Sequence, residues 1–160
     1  MRKYDKREMD YSRSKEKALR LLEYRNHSQK ELERKLKIAG AKEEDIEKVI
    51  EFLKEYSLIN DRDYAKRLAL DLQNLKKYGN RRIYSELVQR GIEPEYIEEA
   101  ISELCEFDYD KFLKMVEKRI KGDFEKKNKD RVIRYFINKG YSFDQIKQAI
   151  SELEANLEIY

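Results

Sequence analysis

The sequence has few of the residues that break helices, bind metals or form disulfides. Its 160 residues include one proline, five glycines, one cysteine, one histidine and no tryptophan. A single cysteine excludes an internal disulfide and a cysteine-rich metal centre, and a lone histidine lacks the partners of a zinc site. We therefore expect no metal and no cofactor. Cys105 stands at an apolar helical spacing, which predicts a small core residue.

Long apolar runs and catalytic motifs are also missing. No stretch approaches the roughly 18 apolar residues of a membrane helix, and the first residues, MRKYDKREMDYSRSK, contain no apolar segment typical of a secretory signal. We expect a cytoplasmic protein without a membrane partner. No heptad pattern is long enough for a coiled coil, and a monomer is expected, although other oligomeric states stay open. The absence of a glycine-rich phosphate loop or nucleophile elbow favours a binding protein over an enzyme.

Charge and helix-forming residues dominate what is present. Charged residues make up 43% of the chain and the mean hydropathy is −0.97, yet 40% of the residues are hydrophobic, too many for a disordered chain. Lys, Glu, Arg and Leu are abundant, and helix breakers are rare. The composition therefore predicts an all-α fold with little apolar material for one large core.

A pattern centred on a glycine occurs three times. Gly40, Gly91 and Gly140 are 51 and 49 residues apart. Apolar residues precede each glycine by eight and four positions and follow it at the spacing of a helix stripe. The residues four before are Leu36, Leu87 and Phe136, and those six after are Ile46, Ile97 and Ile146. Each copy thus predicts a helix, a turn with positive φ at the glycine, and a second helix.

A third helix is predicted before each pair, over 14–25, 61–77 and 108–122, with Leu75 on the apolar stripe of the second. The sequence therefore predicts an all-α fold of about nine helices in a tandem array of three three-helix repeats. The predicted boundaries are 14–56, 61–106 and 108–157, after a basic tail at 1–13. Small repeats stack to bury enough surface, so we expect an elongated or curved array, with a single globular bundle as the alternative.

Local signals support these helix starts. Ser28 with Glu31 and Ser142 with Gln145 match the capping-box pattern, in which each side chain bonds the backbone N–H of the other residue. Pro94 stands where the first turn of a helix tolerates proline.

Positive charge is concentrated in parts of the chain. Residues 108–139 hold eleven Lys or Arg against six Asp or Glu, whereas 93–106 hold six Glu and no base. Such separation favours a negatively charged partner, although solvated helix faces are the plainer interpretation. The candidate contact residues form two groups. The first basic cluster is Lys76, Lys77, Arg81 and Arg82, and the second basic cluster is Lys126, Lys127, Lys129, Arg131 and Arg134.

Three segments of the chain match a known pattern: ALRLLEYRNHSQKELERKLKIAG (18–40), VIEFLKEYSLINDRDYAKRLA (49–69) and KKYGNRRIYSELVQRGIEPEYIEEAI (76–101). They resemble the RecX family of bacterial regulators of the RecA recombinase. The most specific residues are Arg25-Asn-His-Ser28 with Glu31-Leu32, Leu58-Ile59-Asn60-Asp61 with Tyr64-Ala65, and Gly79-x-x-Arg82-Ile83 with Glu86-Leu87 and Gly91-Ile92. The resemblance implies tandem three-helix repeats, in agreement with the spacing.

The resemblance also implies a function. RecX-like proteins bind the RecA–DNA filament, and they modulate, usually by inhibition, its ATP hydrolysis and strand exchange, with no catalytic activity of their own. Both basic clusters would then contact acidic recombinase surfaces or DNA phosphates. A second hypothesis is a helical module that binds single- or double-stranded DNA without RecA, because short helices joined at a glycine also build helix-turn-helix motifs. A structural adaptor for unrelated proteins is the third.

Overall fold

The computed structural model describes residues 9–158, which contain nine α-helices and no strand, as the sequence predicts. The helices are α1 (Tyr11–Tyr24), α2 (Gln29–Ile38), α3 (Glu43–Glu55), α4 (Asp61–Asn74), α5 (Asn80–Gln89), α6 (Pro94–Ser102), α7 (Tyr109–Ile120), α8 (Lys126–Asn138) and α9 (Phe143–Glu158). The first eight residues of the predicted basic tail lie outside the described residues. The last three belong to α1, which starts early because the Asp10 side chain caps it by accepting from the Arg13 N–H.

The helices are grouped into two compact units. Unit 1 comprises the described residues up to Leu68 together with Leu87–Ala100, and unit 2 comprises Ala69–Glu86 together with the described residues from Ile101 onward. The second predicted repeat therefore contributes residues to both units. The repeat boundaries themselves remain a prediction.

Each unit has an apolar core drawn from the predicted helix stripes. In unit 1, Leu32 and Leu36 of α2 pack with Val49 and Leu53 of α3, and all four are fully buried. The core of unit 2 is more aromatic, with the Phe112 and Phe136 rings edge to face at 5.4 Å and the Tyr141 ring 4.5 Å from that of Phe112. The predicted burial of Leu36, Leu87 and Phe136 is confirmed.

The three glycines end their helices as expected, with φ of +97° at Gly40, +73° at Gly91 and +101° at Gly140. Two of them also allow a close approach. A Cβ atom on Gly91 would lie 2.6 Å from Lys30 Cβ in unit 1, and one on Gly140 would lie 2.5 Å from Arg82 Cβ in unit 2. In both units, then, the start of one helix rests on a glycine turn that a side chain would obstruct.

The hydrogen bonds at these two turns join corresponding positions, although their donor groups differ. In unit 1 the hydroxyl of Ser28, the residue before α2, donates to the carbonyl of Arg90, the residue before Gly91. In unit 2 the N–H of Gly79, the residue before α5, donates at 2.8 Å to the carbonyl of Lys139, which precedes Gly140. We call this arrangement the glycine-turn joint: in each unit the residue before a helix donates a hydrogen bond to the carbonyl of the residue before the glycine.

A buried polar network surrounds the joint in unit 1. Ser28 and Glu31 form the predicted capping box. The Glu31 carboxylate, almost fully buried, accepts from the Arg25 guanidinium at 2.6 Å and from the Ser28 N–H at 3.2 Å. Arg90 donates at 3.0 Å to the Tyr64 hydroxyl, which in turn lies 3.4 Å from Glu31. Removing these partners and leaving the carboxylate buried would lower the free energy of unfolding by about 3–5 kcal/mol.

The single histidine belongs to the same region. His27 is buried, with Nδ1 2.9 Å from the Arg25 carbonyl and Nε2 2.9 Å from Lys35 Nζ. A ring that donates from Nδ1 and accepts at Nε2 is neutral. Burial lowers the pKa of His27, the positive charges of Arg25 and Lys35 lower it further, and the bond to the Arg25 carbonyl opposes them. This environment therefore holds the imidazole uncharged.

Two expectations from the apolar spacing are wrong. Cys105 is exposed, because α6 ends at Ser102 and the helical spacing no longer applies beyond it. Leu75 is 76% exposed, because α4 ends at Asn74 and the chain reaches a left-handed φ of 59° at Lys77. The second predicted capping box is confirmed, with Ser142 and Gln145 each bonded to the other's N–H.

We expect Gly79→Ala to destabilise the protein by about 3 kcal/mol, near the upper end for overpacking. Its Cβ would lie 2.6 Å from the carbonyl carbon of Gly140, and backbone atoms on both sides prevent an easy shift. Urea unfolding followed by circular dichroism measures the loss. The exposed Ser85→Ala change in α5, the helix that Gly79 precedes, should stay within about 0.5 kcal/mol. Equal stability of the Gly79 variant and the wild type would refute the close approach.

Stability should fall as the pH drops below about 6.5, the ordinary pKa of histidine. The folded state lowers the pKa of His27, so the unfolded chain binds a proton first and acid favours unfolding. For Glu31, burial raises the pKa but hydrogen bonds from Arg25 and the Ser28 N–H outweigh it, so a second loss begins below its ordinary value of 4.5. Urea unfolding at a series of pH values measures both. His27→Gln should flatten only the upper loss, and an unchanged profile in that variant would contradict the assignment.

Candidate functional site

All nine predicted contact residues lie in unit 2. Lys76 and Lys77 follow the end of α4 and are exposed. The backbone of Lys77 is fixed, because its carbonyl accepts from the Tyr141 hydroxyl at 2.7 Å. Its ammonium group therefore extends from an anchored turn and stays available to a partner.

The two arginines of the first basic cluster differ. Arg81 is exposed in the first turn of α5. Arg82 is half-buried and has internal partners: Nε donates to Glu86 at 2.9 Å and Nη1 to the Asn138 carbonyl at 2.8 Å. A change at Arg82 therefore affects folding as well as binding, and its contact role remains a prediction.

The second basic cluster lies on α8. Lys127, Arg131 and Arg134 are exposed and follow the i, i+4, i+7 spacing of one helix face. Lys126 is exposed beside them at the start of the helix. Lys129 points elsewhere, and its ammonium group is 2.8 Å from the Glu154 carboxylate of α9. The structure thus separates four exposed cations from one engaged in an ion pair.

The exposed cations continue towards the first basic cluster. Asn138, whose carbonyl binds Arg82, lies on the same face of α8 as Lys127, eleven residues further on and roughly 16 Å along the axis at about 1.5 Å per residue. We call the exposed set the basic stripe. It consists of Lys126, Lys127, Arg131 and Arg134 of α8 with Lys76, Lys77 and Arg81 near its far end. One carboxylate, Asp130, stands on the same face.

The start of α8 carries charge of the unfavourable sign. Its first turn contains Lys126 and Lys127 and no acidic residue, and the N-cap Glu125 makes no side-chain cap hydrogen bond. The N-terminus of a helix has a partial positive charge that favours anions and disfavours cations. Helix stability therefore does not account for these two lysines.

Sequence reasoning missed four residues beside the stripe. The Arg119 guanidinium lies 3.6 Å from the centroid of the Tyr135 ring, and the Lys139 ammonium lies 5.5 Å from the same ring and 5.1 Å from that of Tyr78. Arg119 and Tyr135 stand on different helices, so no spacing signal links them. Of these contacts, only the one between Tyr135 and Lys139 could have been expected from the sequence, because residues four apart are neighbours on a helix.

A metal-binding cluster and a membrane-spanning helix are absent from the described residues. Residues 9–158 hold no group of three or more His, Cys, Asp or Glu side chains placed to bind a metal ion. None of the helices in that range is long and apolar enough to span a bilayer.

These features define a class: a helical protein of short repeated elements with a cationic surface stripe. The family models described as the first and second three-helix domains of RecX match residues 15–53 and 60–101. The chain is 36% identical over 147 residues to regulatory protein RecX of Clostridioides difficile (strain 630), covering 89% of this chain and 69% of that protein. The chain belongs to the RecX family, and a regulatory role follows from that membership.

Further relatives agree with this assignment. Regulatory protein RecX of Vibrio parahaemolyticus is 37% identical over 150 residues, covering 92% of this chain and 96% of the relative. The crystal structure of RecX from Lactobacillus salivarius superposes with a TM-score of 0.74 at 28% identity, covering 91% of this chain and 97% of that one. A second RecX crystal structure, with a TM-score of 0.69 at 21% identity, covers 89% of this chain and 71% of that one and supports the fold.

Replacing both lysines at the start of α8 by glutamate should stabilise the protein. A favourable charge in the first turn contributes about 0.3–1 kcal/mol at low ionic strength, so Lys126→Glu with Lys127→Glu should raise the free energy of unfolding by roughly 1 kcal/mol. Urea unfolding at low salt measures this change. Lys126→Gln with Lys127→Gln should give a smaller gain. A loss of stability in the glutamate variant would mean that the lysines support the fold.

Proposed function

We propose that this protein binds the RecA–DNA filament and lowers the rate of its ATP hydrolysis and strand exchange. The observation that carries the proposal is the part of the basic stripe on α8. Its lysines at the helix start are repelled by the partial positive charge of the helix N-terminus. Membership of a family of regulatory proteins supports the same reading.

The stripe is suited to a polyanionic surface. Lys127, Arg131 and Arg134 are spaced by about one helical turn each and project from a helix, so no backbone ordering is needed when they bind together. Charges of this kind act mainly by raising the association rate and orienting the partner. A filament with a periodic acidic surface or exposed phosphates supplies such a partner.

We propose a non-enzymatic mechanism. His27, Glu31 and Tyr64 are buried titratable side chains of unit 1, and all three take part in one hydrogen-bonded network. Groups held in this way stabilise a fold and are not positioned to act on a substrate. The protein would therefore regulate by occupying a surface of the filament.

A DNA-binding module that acts without RecA is the second candidate, because the same stripe can contact phosphates. The two functions differ in what they require. A regulator should bind RecA-coated single-stranded DNA, with an ATP analogue present, at least about tenfold more tightly than the bare strand. An independent DNA-binding module should bind both forms, or the bare strand better.

The decisive experiment is RecA-dependent ATP hydrolysis on single-stranded DNA, titrated with this protein. The wild type should lower the rate. The triple variant Lys127→Glu, Arg131→Glu, Arg134→Glu should need at least about tenfold more protein for half-inhibition, because reversed charges repel the polyanion. These changes leave Arg82 and Lys129 and their internal contacts intact.

The matched control is Arg34→Glu, Lys48→Glu, Lys114→Glu, three exposed mid-helix positions outside the stripe with the same change in net charge. It should inhibit within about threefold of the wild type. Equal losses in both triples would assign the effect to net charge rather than to the stripe. A wild type without effect on ATP hydrolysis would refute the proposed function.

A further inference from the structure

Cations and aromatic rings alternate in a second line within unit 2. The line runs from Arg119 to Tyr135, Lys139, Tyr78 and Arg82, with successive cation-to-ring distances of 3.6, 5.5, 5.1 and 4.7 Å. We call it the cation–aromatic row. Only Arg82 belongs to the predicted basic clusters, so the row is an independent feature of this unit.

The rings orient these cations without neutralising them. A tyrosine ring attracts a cation through its quadrupole and carries no net charge. Lys129 of the same unit shows the contrast, because a Glu154 carboxylate 2.8 Å away compensates its charge. Arg119 and Lys139 therefore keep a positive charge at fixed positions, which is what a phosphate-binding side chain requires.

Hydrogen bonds to two backbone carbonyls set the spacing of the row. The glycine-turn joint places Gly79 N 2.8 Å from the Lys139 carbonyl, so Tyr78 and Lys139 are held beside each other. The Arg82 guanidinium donates to the adjacent Asn138 carbonyl at 2.8 Å. Because hydrogen bonds to the backbone fix the row, binding a ligand there does not cost the entropy of ordering a loop.

We propose that the cation–aromatic row binds single-stranded nucleic acid, with phosphates at Arg119 and Lys139 and bases against the exposed parts of Tyr78 and Tyr135. Tyr78, Tyr135 and Lys139 are half-buried and Arg119 is exposed, so all four side chains reach the surface. Along a single strand, charged phosphates alternate with flat bases, and alternating cations and aromatic rings match that order. In a duplex the bases are stacked inside and the rings would have no role.

This inference deepens the proposed function and rests on it for its biological setting, because the filament contains a single strand. It goes further by assigning contact to the DNA rather than to the recombinase. An acidic protein surface would need only the cations. The effect of removing the rings therefore separates the two partners.

The test measures the fluorescence anisotropy of a labelled oligo-dT of about 20 nucleotides with the full chain, without RecA, from about 50 to 200 mM salt. Tyr135→Leu and Tyr78→Leu should each weaken binding about tenfold, since one base-stacking contact is lost. Arg119→Gln with Lys139→Gln should lower the slope of log affinity against log salt by about 1.4, at about 0.7 per phosphate contact. Thermal unfolding of each variant verifies that it is folded.

Matched controls lie outside the row. Tyr56→Leu removes a 63% exposed tyrosine of unit 1, and Lys114→Gln removes an exposed charge of α7; both should bind like the wild type. No binding at low salt, or an unchanged slope in the double variant, would overturn the proposal. Loss of binding with the charge variants but not with the tyrosine variants would also overturn it and assign the row to polyanions in general.

Running the RecA-dependent ATPase titration in parallel keeps the two proposals separate. A wild type that inhibits ATP hydrolysis yet does not bind the oligonucleotide would overturn the row assignment and leave the proposed function standing. A wild type that binds the strand through the row yet leaves ATP hydrolysis unchanged would overturn the proposed function alone.

Discussion

The glycine-turn joint is the contact on which each unit depends. In unit 1 it sets α2 against the turn at Gly91, and in unit 2 it sets α5 against the turn at Gly140. Two conditions meet at each glycine: a left-handed backbone that ends a helix, and no Cβ where another helix begins. Repeats of this size bury little apolar surface on their own, so a recurring polar and steric contact that fixes one helix against the next supplies order that the small cores do not.

The residues that carry the family resemblance explain why that joint is robust in unit 1. Arg25, His27, Ser28, Glu31 and Tyr64 are linked by hydrogen bonds around one buried carboxylate. A network with each member satisfied specifies a single arrangement, because any alternative packing would leave a buried charge without a partner. The polar residues that carry the family resemblance in unit 1 therefore stabilise the fold. The residues proposed to meet a partner lie elsewhere, on the less distinctive surface of α8.

Helix order and core composition were readable from the sequence because they depend on local spacing. Leu36, Leu87 and Phe136 precede a glycine by one turn, and that interval alone places them inside. The basic clusters were readable only as composition. Which cations stay exposed depends on partners distant in the chain: Glu154 for Lys129, and the Asn138 carbonyl for Arg82. Tyr78 and Lys139 are brought together by the joint itself, so their pairing has no signature in either local segment.

Because of the lysines at the start of α8, added salt acts on the protein in two opposite ways. Lys126 and Lys127 repel each other and the positive end of the helix, and mobile anions screen that repulsion. Rising ionic strength should therefore stabilise unit 2, and it should weaken the binding of any polyanion to the same side chains. The high salt concentrations that stabilise the isolated protein are therefore those at which its binding to a polyanion is weakest.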